Sequence, residues 1–119
     1  MKELIVTDLE DLSASVRAFC EERDWTRFHN PKDLSIGMVT EASELLELFR
    51  FQTNGQMTAM LNDCETRERI GDELADQLFF LLRFSDLYGF DLSAELHRKI
   101  EKNNTKYPAK SSRGSNRKA

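Results

Sequence analysis

No stretch of this chain alternates apolar and polar residues with the period of two that a half-buried strand requires; the apolar spacing is helical throughout. An all-α fold follows. The first helix is expected from Thr7, whose hydroxyl caps the turn while Glu10 reaches back, with a stripe of Leu9, Leu12, Val16 and Phe19 and fraying near Arg23. Asp24-Trp25-Thr26-Arg27-Phe28-His29 reads as a loop, and Asn30-Pro31 as an N-cap followed by proline at the first helical position. The second helix runs to about Gln52 and breaks at Asn54-Gly55. A third begins near Asn62 or Asp63 and continues to Tyr88, where Gly89 stops it. Asp91 caps a fourth, which runs to about Lys106 and ends before Pro108.

The third helix is apolar nearly all round in its second half, through Leu74, Leu78, Phe79, Phe80, Leu81, Leu82, Phe84 and Leu87, and a helix of that kind must be buried on most sides. Four helices from 119 residues do not easily achieve this alone. The expectation is a four-helix bundle completed by homo-oligomerisation, as a homodimer or homotetramer with the third helix at its centre.

Charged residues at 32% and hydrophobic residues at 39% fit a soluble globular domain rather than a disordered chain. The longest strongly apolar run, Leu78 to Leu82, is far too short for a bilayer, and the acids that follow the brief apolar start of the chain do not suit a signal peptide. No membrane partner is expected. Cys20 and Cys64 lack CxxC spacing, so free thiols in a reducing cytoplasm are the default. The net charge of −4 hides an asymmetry, because Lys110, Arg113, Arg117 and Lys118 put +4 on the last eleven residues. The body is therefore acidic, which argues against nucleic acid as a partner. Residues 1–108 read as one helical domain and 109–119 as a basic, disordered tail, with a partner-binding arm as the other reading of those basic residues.

The placement of acids carries the functional information. At about 100° per residue, Leu34, Met38, Leu45 and Leu48 fall within roughly 60° of Glu41, so Glu41 lies inside the apolar arc of the second helix. Glu44 borders that arc, whereas Ser43, Glu47 and Arg50 point elsewhere. On the third helix Glu73 is flanked by Phe80, Phe84 and Leu87, and Asp76 borders the same face. Two pairs at i, i+3 spacing thus turn inward. Buried like charges repel and are costly to desolvate unless protonated or bound to cations, and hard divalent cations take oxygen ligands. A Glu-x-x-Glu pair alone is common on solvated helix faces; two inward pairs leave metal binding and solvation as equal readings, and periodicity goes no further. Di-iron carboxylate bundles need Glu-x-x-His pairs, and His29 and His97 are preceded at that spacing by Thr26 and Ala94.

The order Glu41-x-x-Glu44, 28 intervening residues, then Glu73-x-x-Asp76 resembles the pattern of the MazG-like superfamily. The surrounding segments look closest to its dCTP pyrophosphatase branch: Trp25-Thr26-Arg27-Phe28-His29-Asn30-Pro31, Glu44-Leu45-Leu46-Glu47-Leu48-Phe49, Glu73-Leu74-Ala75-Asp76, and Lys99, Asn103, Tyr107 and Pro108 in order. The resemblance spans about residues 9 to 108. It implies a four-helix MazG-like bundle and a pyrophosphohydrolase that cleaves a nucleoside triphosphate to the monophosphate and pyrophosphate. Glu41, Glu44, Glu73 and Asp76 would hold magnesium and act in catalysis, with Glu44 favoured as the base that takes the water's proton. The chemistry is metal-assisted attack at the α-phosphorus. Lys99, Asn103, Lys106 and Tyr107 would reach phosphates or sugar, while Trp25, His29 and Phe51 would meet the base or sugar.

Each of these residues has a plainer reading. Lys99 and Lys106 suit a solvated helix C-terminus, and a lone tryptophan is commonly core. The branch commonly has tryptophan where Phe51 stands, and a smaller ring without an indole N–H loosens the inference to dCTP. The leading substrate is dCTP or a modified dCTP; the alternatives are dUTP, an oxidised purine nucleotide or a broad set of dNTPs. A nucleotide sensor that does not cleave, or a non-catalytic helical dimerisation module, stands as the reading from another class.

Overall fold

A computed structural model describes residues 8–116. Thr7 and the rest of the N-terminal stretch, and Arg117 and Lys118 of the tail, lie outside the described residues. Six α-helices and one 3₁₀ turn are formed among the described residues, with no strand, where four helices were expected. They belong to two compact units, Met1–Tyr88 and Gly89–Ala119.

Helix α1, Leu9–Glu22, is capped by Asp8: the Asp8 carboxylate accepts from the Asp11 backbone N–H at 2.9 Å. An aspartate there has the extended backbone of a cap and places its charge at the positive end of the helix dipole. At the other end Trp25 N–H bonds the Cys20 carbonyl and Asp24 N–H that of Glu21, with Asp24 at φ +53° in the left-handed position that usually takes glycine. The segment expected as a loop then makes a single 3₁₀ turn, Thr26–Phe28. Helix α2, Pro31–Phe49, starts as anticipated, with the Asn30 side chain accepting from Asp33 N–H at 2.8 Å, and ends three residues before Gln52.

Asn54-Gly55 does not break the chain into a loop. It opens a further helix, α3, Asn54–Asn62. Thr53 and Gln56 form a reciprocal capping box, the Gln56 N–H donating to Thr53 Oγ1 at 3.1 Å and the Thr53 N–H to Gln56 Oε1 at 2.8 Å. Asp63 accepts from both the backbone and the hydroxyl of Thr66 to start α4, Cys64–Tyr88. Gly89, at φ +73°, follows the end of α4. In the second unit Asp91 caps α5, Leu92–Lys106, and Pro108 leads into a four-residue helix α6, Ala109–Ser112, where a disordered tail was expected. Proline suits the first turn of a helix, and the Pro108 carbonyl receives the N–H groups of Ser111 and Ser112.

In the first unit α1, α2 and α3 each pack on α4. Cys20, Leu34, Ile70 and Leu82 form the buried apolar core, one residue each from α1 and α2 and two from α4. At Gly37 α2 lies close against α4, since a methyl group there would be 2.5 Å from the Phe80 ring. Arg17 and Asp86 join α1 to α4 through two hydrogen bonds of 2.8 and 2.6 Å. Two apolar stripes remain uncovered: Ile36, Val39 and Leu46 on α2, and Leu74, Leu78 and Leu81 on α4. No helix among the described residues is long and apolar enough to cross a membrane.

Candidate active site

The Gly37–Phe80 contact sets the register of two helices that run in opposite directions. Four residues forward on α2 and four back on α4 lead to Glu41 and Asp76, and three more on each lead to Glu44 and Glu73. The i, i+3 pairs therefore face each other along one seam, a turn away from the Gly37–Phe80 contact. Oxygen atoms of Glu41, Glu73 and Asp76 lie within 4.8 Å of one another. Glu44 stands outside that trio, yet near enough for its carboxylate to act on both Glu41 and Glu73.

Glu41 and Glu73 are half-buried, and Glu44 and Asp76 are exposed, as expected for residues inside and at the border of the arcs. One carboxylate oxygen of Glu41 and one of Glu73 are buried with no hydrogen-bond partner. Burial, together with the charges of Glu44 and Asp76, pushes the Glu41 carboxyl up to about 7 from an ordinary 4.5. Glu73 is raised for the same reasons, burial first and then Glu44. A like-charged group with orphaned oxygens, and with no cationic side chain among the described residues bridging it, has the composition of a hard-cation site. Magnesium takes oxygen ligands at roughly 2.0–2.1 Å, so ligand atoms on one ion sit at most about 4.2 Å apart. The observed spread needs only a small contraction. The residues fit a hard divalent cation.

Trp25 and His29 are held at the junction of α1 and α2. The Trp25 ring packs edge-on against Phe19 at 5.5 Å, Phe19 against Phe79 at 5.8 Å, and Phe79 against Phe80 at 5.6 Å, so an aromatic ladder joins the junction to the helix seam. Trp25 thus serves packing while keeping 39% of its surface exposed. Arg83 of α4, only 1% exposed, donates from Nε to His29 Nδ1 at 3.0 Å and from Nη2 to Thr26 Oγ1 at 2.8 Å. Phe51, beyond the end of α2, is 80% exposed with the Arg50 guanidinium over its ring. Lys99, Asn103, Lys106 and Tyr107 belong to the second unit. Lys99, Asn103 and Tyr107 follow at i, i+4 spacing along one side of α5, and the Lys106 ammonium lies 5.5 Å from the Tyr107 ring.

The MazG-like family model matches residues 36–119, a span that takes in both acidic pairs. The chain belongs to the MazG-like family. Human dCTP pyrophosphatase 1 is 34% identical over 110 residues, and the rat enzyme of that name 33% identical over 107. The alignments cover 92% and 90% of this chain but 65% and 63% of those proteins, so the chain spans about two-thirds of the curated relatives it matches. Among solved structures, that of a pyrophosphatase from Archaeoglobus fulgidus superposes with a TM-score of 0.79 at 29% identity, covering 91% of this chain and 99% of that one.

Two features of this MazG-like chain escape a reading by periodicity. Arg83 interrupts the run Leu81-Leu82-Arg83-Phe84, and a lone cation inside an all-round apolar helix is itself a signal of a buried polar contact. Helix α3 was announced by Thr53-x-x-Gln56, the capping pattern, which Asn54-Gly55 obscured.

Proposed function

We propose that this chain is a magnesium-dependent nucleoside triphosphate pyrophosphohydrolase, converting a dNTP or NTP to the monophosphate and pyrophosphate, with dCTP or a modified dCTP as its leading substrate. The observation that carries this reading is the α2–α4 seam, where four carboxylates converge and two of their oxygens are buried without a partner. Kinship with proteins named dCTP pyrophosphatase supports the reaction and the base.

Glu41, Glu73 and Asp76 would hold the metal, with Glu44 completing the set. Magnesium, when bound, neutralises the triphosphate and polarises the α-phosphate. Glu44, the exposed acid at the edge of the seam, accepts the proton of the attacking water. The water oxygen bonds to the α-phosphorus as the bond to the bridging oxygen breaks, and pyrophosphate departs with that electron pair. Lys99, Asn103, Lys106 and Tyr107 are assigned to phosphates and sugar, and Trp25, His29 and Phe51 to the nucleoside. Phe51 offers a smaller stacking surface than tryptophan, which favours a second reading of broader base choice, dUTP included.

The uncovered stripes Ile36/Val39/Leu46 and Leu74/Leu78/Leu81 support a homodimer or homotetramer as the working form. The two free cysteines fit a reducing cytoplasm. The test is a panel of the common dNTPs and NTPs with 5-methyl-dCTP, each with magnesium or EDTA, with products separated. Magnesium-dependent monophosphate and pyrophosphate establish the reaction, and the rank order settles the base. Diphosphate and phosphate as products refute attack at the α-phosphorus, and binding without turnover points to a sensor.

A further inference from the structure

Arg83 is the largest fully buried side chain among the described residues, and both of its hydrogen-bond acceptors are neutral groups of the segment between α1 and α2. A guanidinium has five N–H donors, no acceptor, and does not lose its charge in proteins. The Nε–H that points at His29 Nδ1 therefore requires a lone pair on that nitrogen. A neutral imidazole whose Nδ1 accepts carries its proton on Nε2. Protonating Nδ1 would set N–H against N–H beside a buried cation, and burial together with the Arg83 charge accordingly holds the His29 pKa below its ordinary 6.5. No group among the described residues bonds His29 Nε2, and the side chain is only half-buried.

The neighbouring charges do not undo this arrangement. Cys20 of α1 faces Arg83 as a buried thiol with its pKa raised, chiefly by burial. Asp86, one turn along α4, is engaged by Arg17. The second Arg83 bond, to Thr26, fixes the 3₁₀ turn that carries His29 into the Asn30 cap of α2.

We propose that Arg83 is a positioning residue that locks His29 in the neutral Nε2–H tautomer, so that the junction presents a fixed hydrogen-bond donor to an acceptor atom of the bound nucleoside. This rests on the assignment of His29 to the nucleoside made above. Such a donor matches a ring carbonyl or an unprotonated ring nitrogen and rejects an exocyclic amino group, a selection Arg83 imposes without touching the substrate.

Ring-nitrogen NMR of the full-length ¹⁵N-labelled protein tests the lock directly, alongside KM and kcat for dCTP with magnesium between pH 5.5 and 8. The wild type is expected to keep bare Nδ1 and protonated Nε2 to a lower pH than a free histidine does, with a flat KM profile through the ordinary histidine range. Arg83→Met is expected to mix the tautomers, raise KM about 5- to 10-fold with kcat within about two-fold, and make KM pH-dependent near the ordinary histidine value of about 6.5. Thr26→Val, which removes only the other bond, should keep the tautomer. A wild-type Nδ1–H signal overturns the proposal whatever the variants do, including the case in which Arg83→Met fails to fold. Unchanged KM and pH profile in a folded Arg83→Met also overturn it, leaving Arg83 as packing alone. Absence of turnover with every nucleotide sinks the enzymatic reading and the donor role with it, while the ring spectrum still decides the tautomer.

Discussion

The carboxylate seam and the Arg83 junction are both polar insertions into one apolar helix pair, and they respond to pH in opposite directions. At the seam, Glu41 binds its proton up to about pH 7 in the folded chain but only to about 4.5 when unfolded. Between those values the folded state holds more protons, so this contribution to stability falls as pH rises through the window. At the junction the folded pKa of His29 lies below 6.5, the unfolded chain takes the proton first, and the contribution is present above that value and lost as pH falls. At the junction the buried cation finds its acceptors within the chain, and only the half-buried His29 Nε2 is left for a ligand. The seam has oxygens that nothing satisfies. An unsatisfied buried group marks where a ligand belongs; a satisfied one marks what holds the ligand's surroundings in place.

Removing one seam charge separates the two regions most sharply. Glu41→Gln or Asp76→Asn should lower turnover on the order of 10²–10³-fold at saturating magnesium, with the fold intact. The melting temperature of the metal-free protein at pH 8 should hold or rise, because repulsion is relieved. Near wild-type turnover at limiting magnesium in either variant would break the metal assignment.

Magnesium itself gives the next effect. At 100 times its dissociation constant it should stabilise the protein by about 2.7 kcal/mol at pH 8, read by thermal melting with and without EDTA. The gain should shrink at pH 5.5, where Glu41 is protonated; a pH-independent gain would place the ion elsewhere. Gly37→Ala disturbs the seam through packing, at a cost of about 1–3 kcal/mol in denaturant unfolding, unless the Phe80 ring can swing away. Smallest is Thr53→Ala, about 1 kcal/mol from the lost cap of α3, with magnesium affinity unchanged. A change in that affinity would couple α3 to the seam.

The seam was legible in the sequence because a helical wheel needs only one helix at a time. Leu34, Met38, Leu45 and Leu48 around Glu41 are all buried or half-buried, and Glu47 and Arg50 are exposed, as the 100° spacing requires. Register between helices is another matter. Nothing periodic in Gly37 or Phe80 announces that they touch, and the convergence of the pairs depends on that contact. The bonds from Arg83 to Thr26 and His29 cross more than fifty residues and were equally out of reach. Caps were readable in kind: Asn30 and Asp91 act as expected, and Asp8, one residue on from the Thr7 of the sequence reading, caps α1. Leu74, Leu78 and Leu81, on the helix expected to be buried on most sides, are exposed in the single chain.

The absent side chain at Gly37 also has a bearing on which ion the seam accepts. Magnesium bonds its ligands at roughly 2.0–2.1 Å and calcium at 2.3–2.6 Å, so a few tenths of an ångström between helix axes separate a cage for one from a cage for the other. Glu41 is one turn from Gly37 and Asp76 one turn from Phe80, so a change in helix spacing at that contact would reach the carboxylates. On the proposed metal assignment, a methyl group at Gly37 would press on the Phe80 ring, part the two helices and turn the seam toward a larger cation.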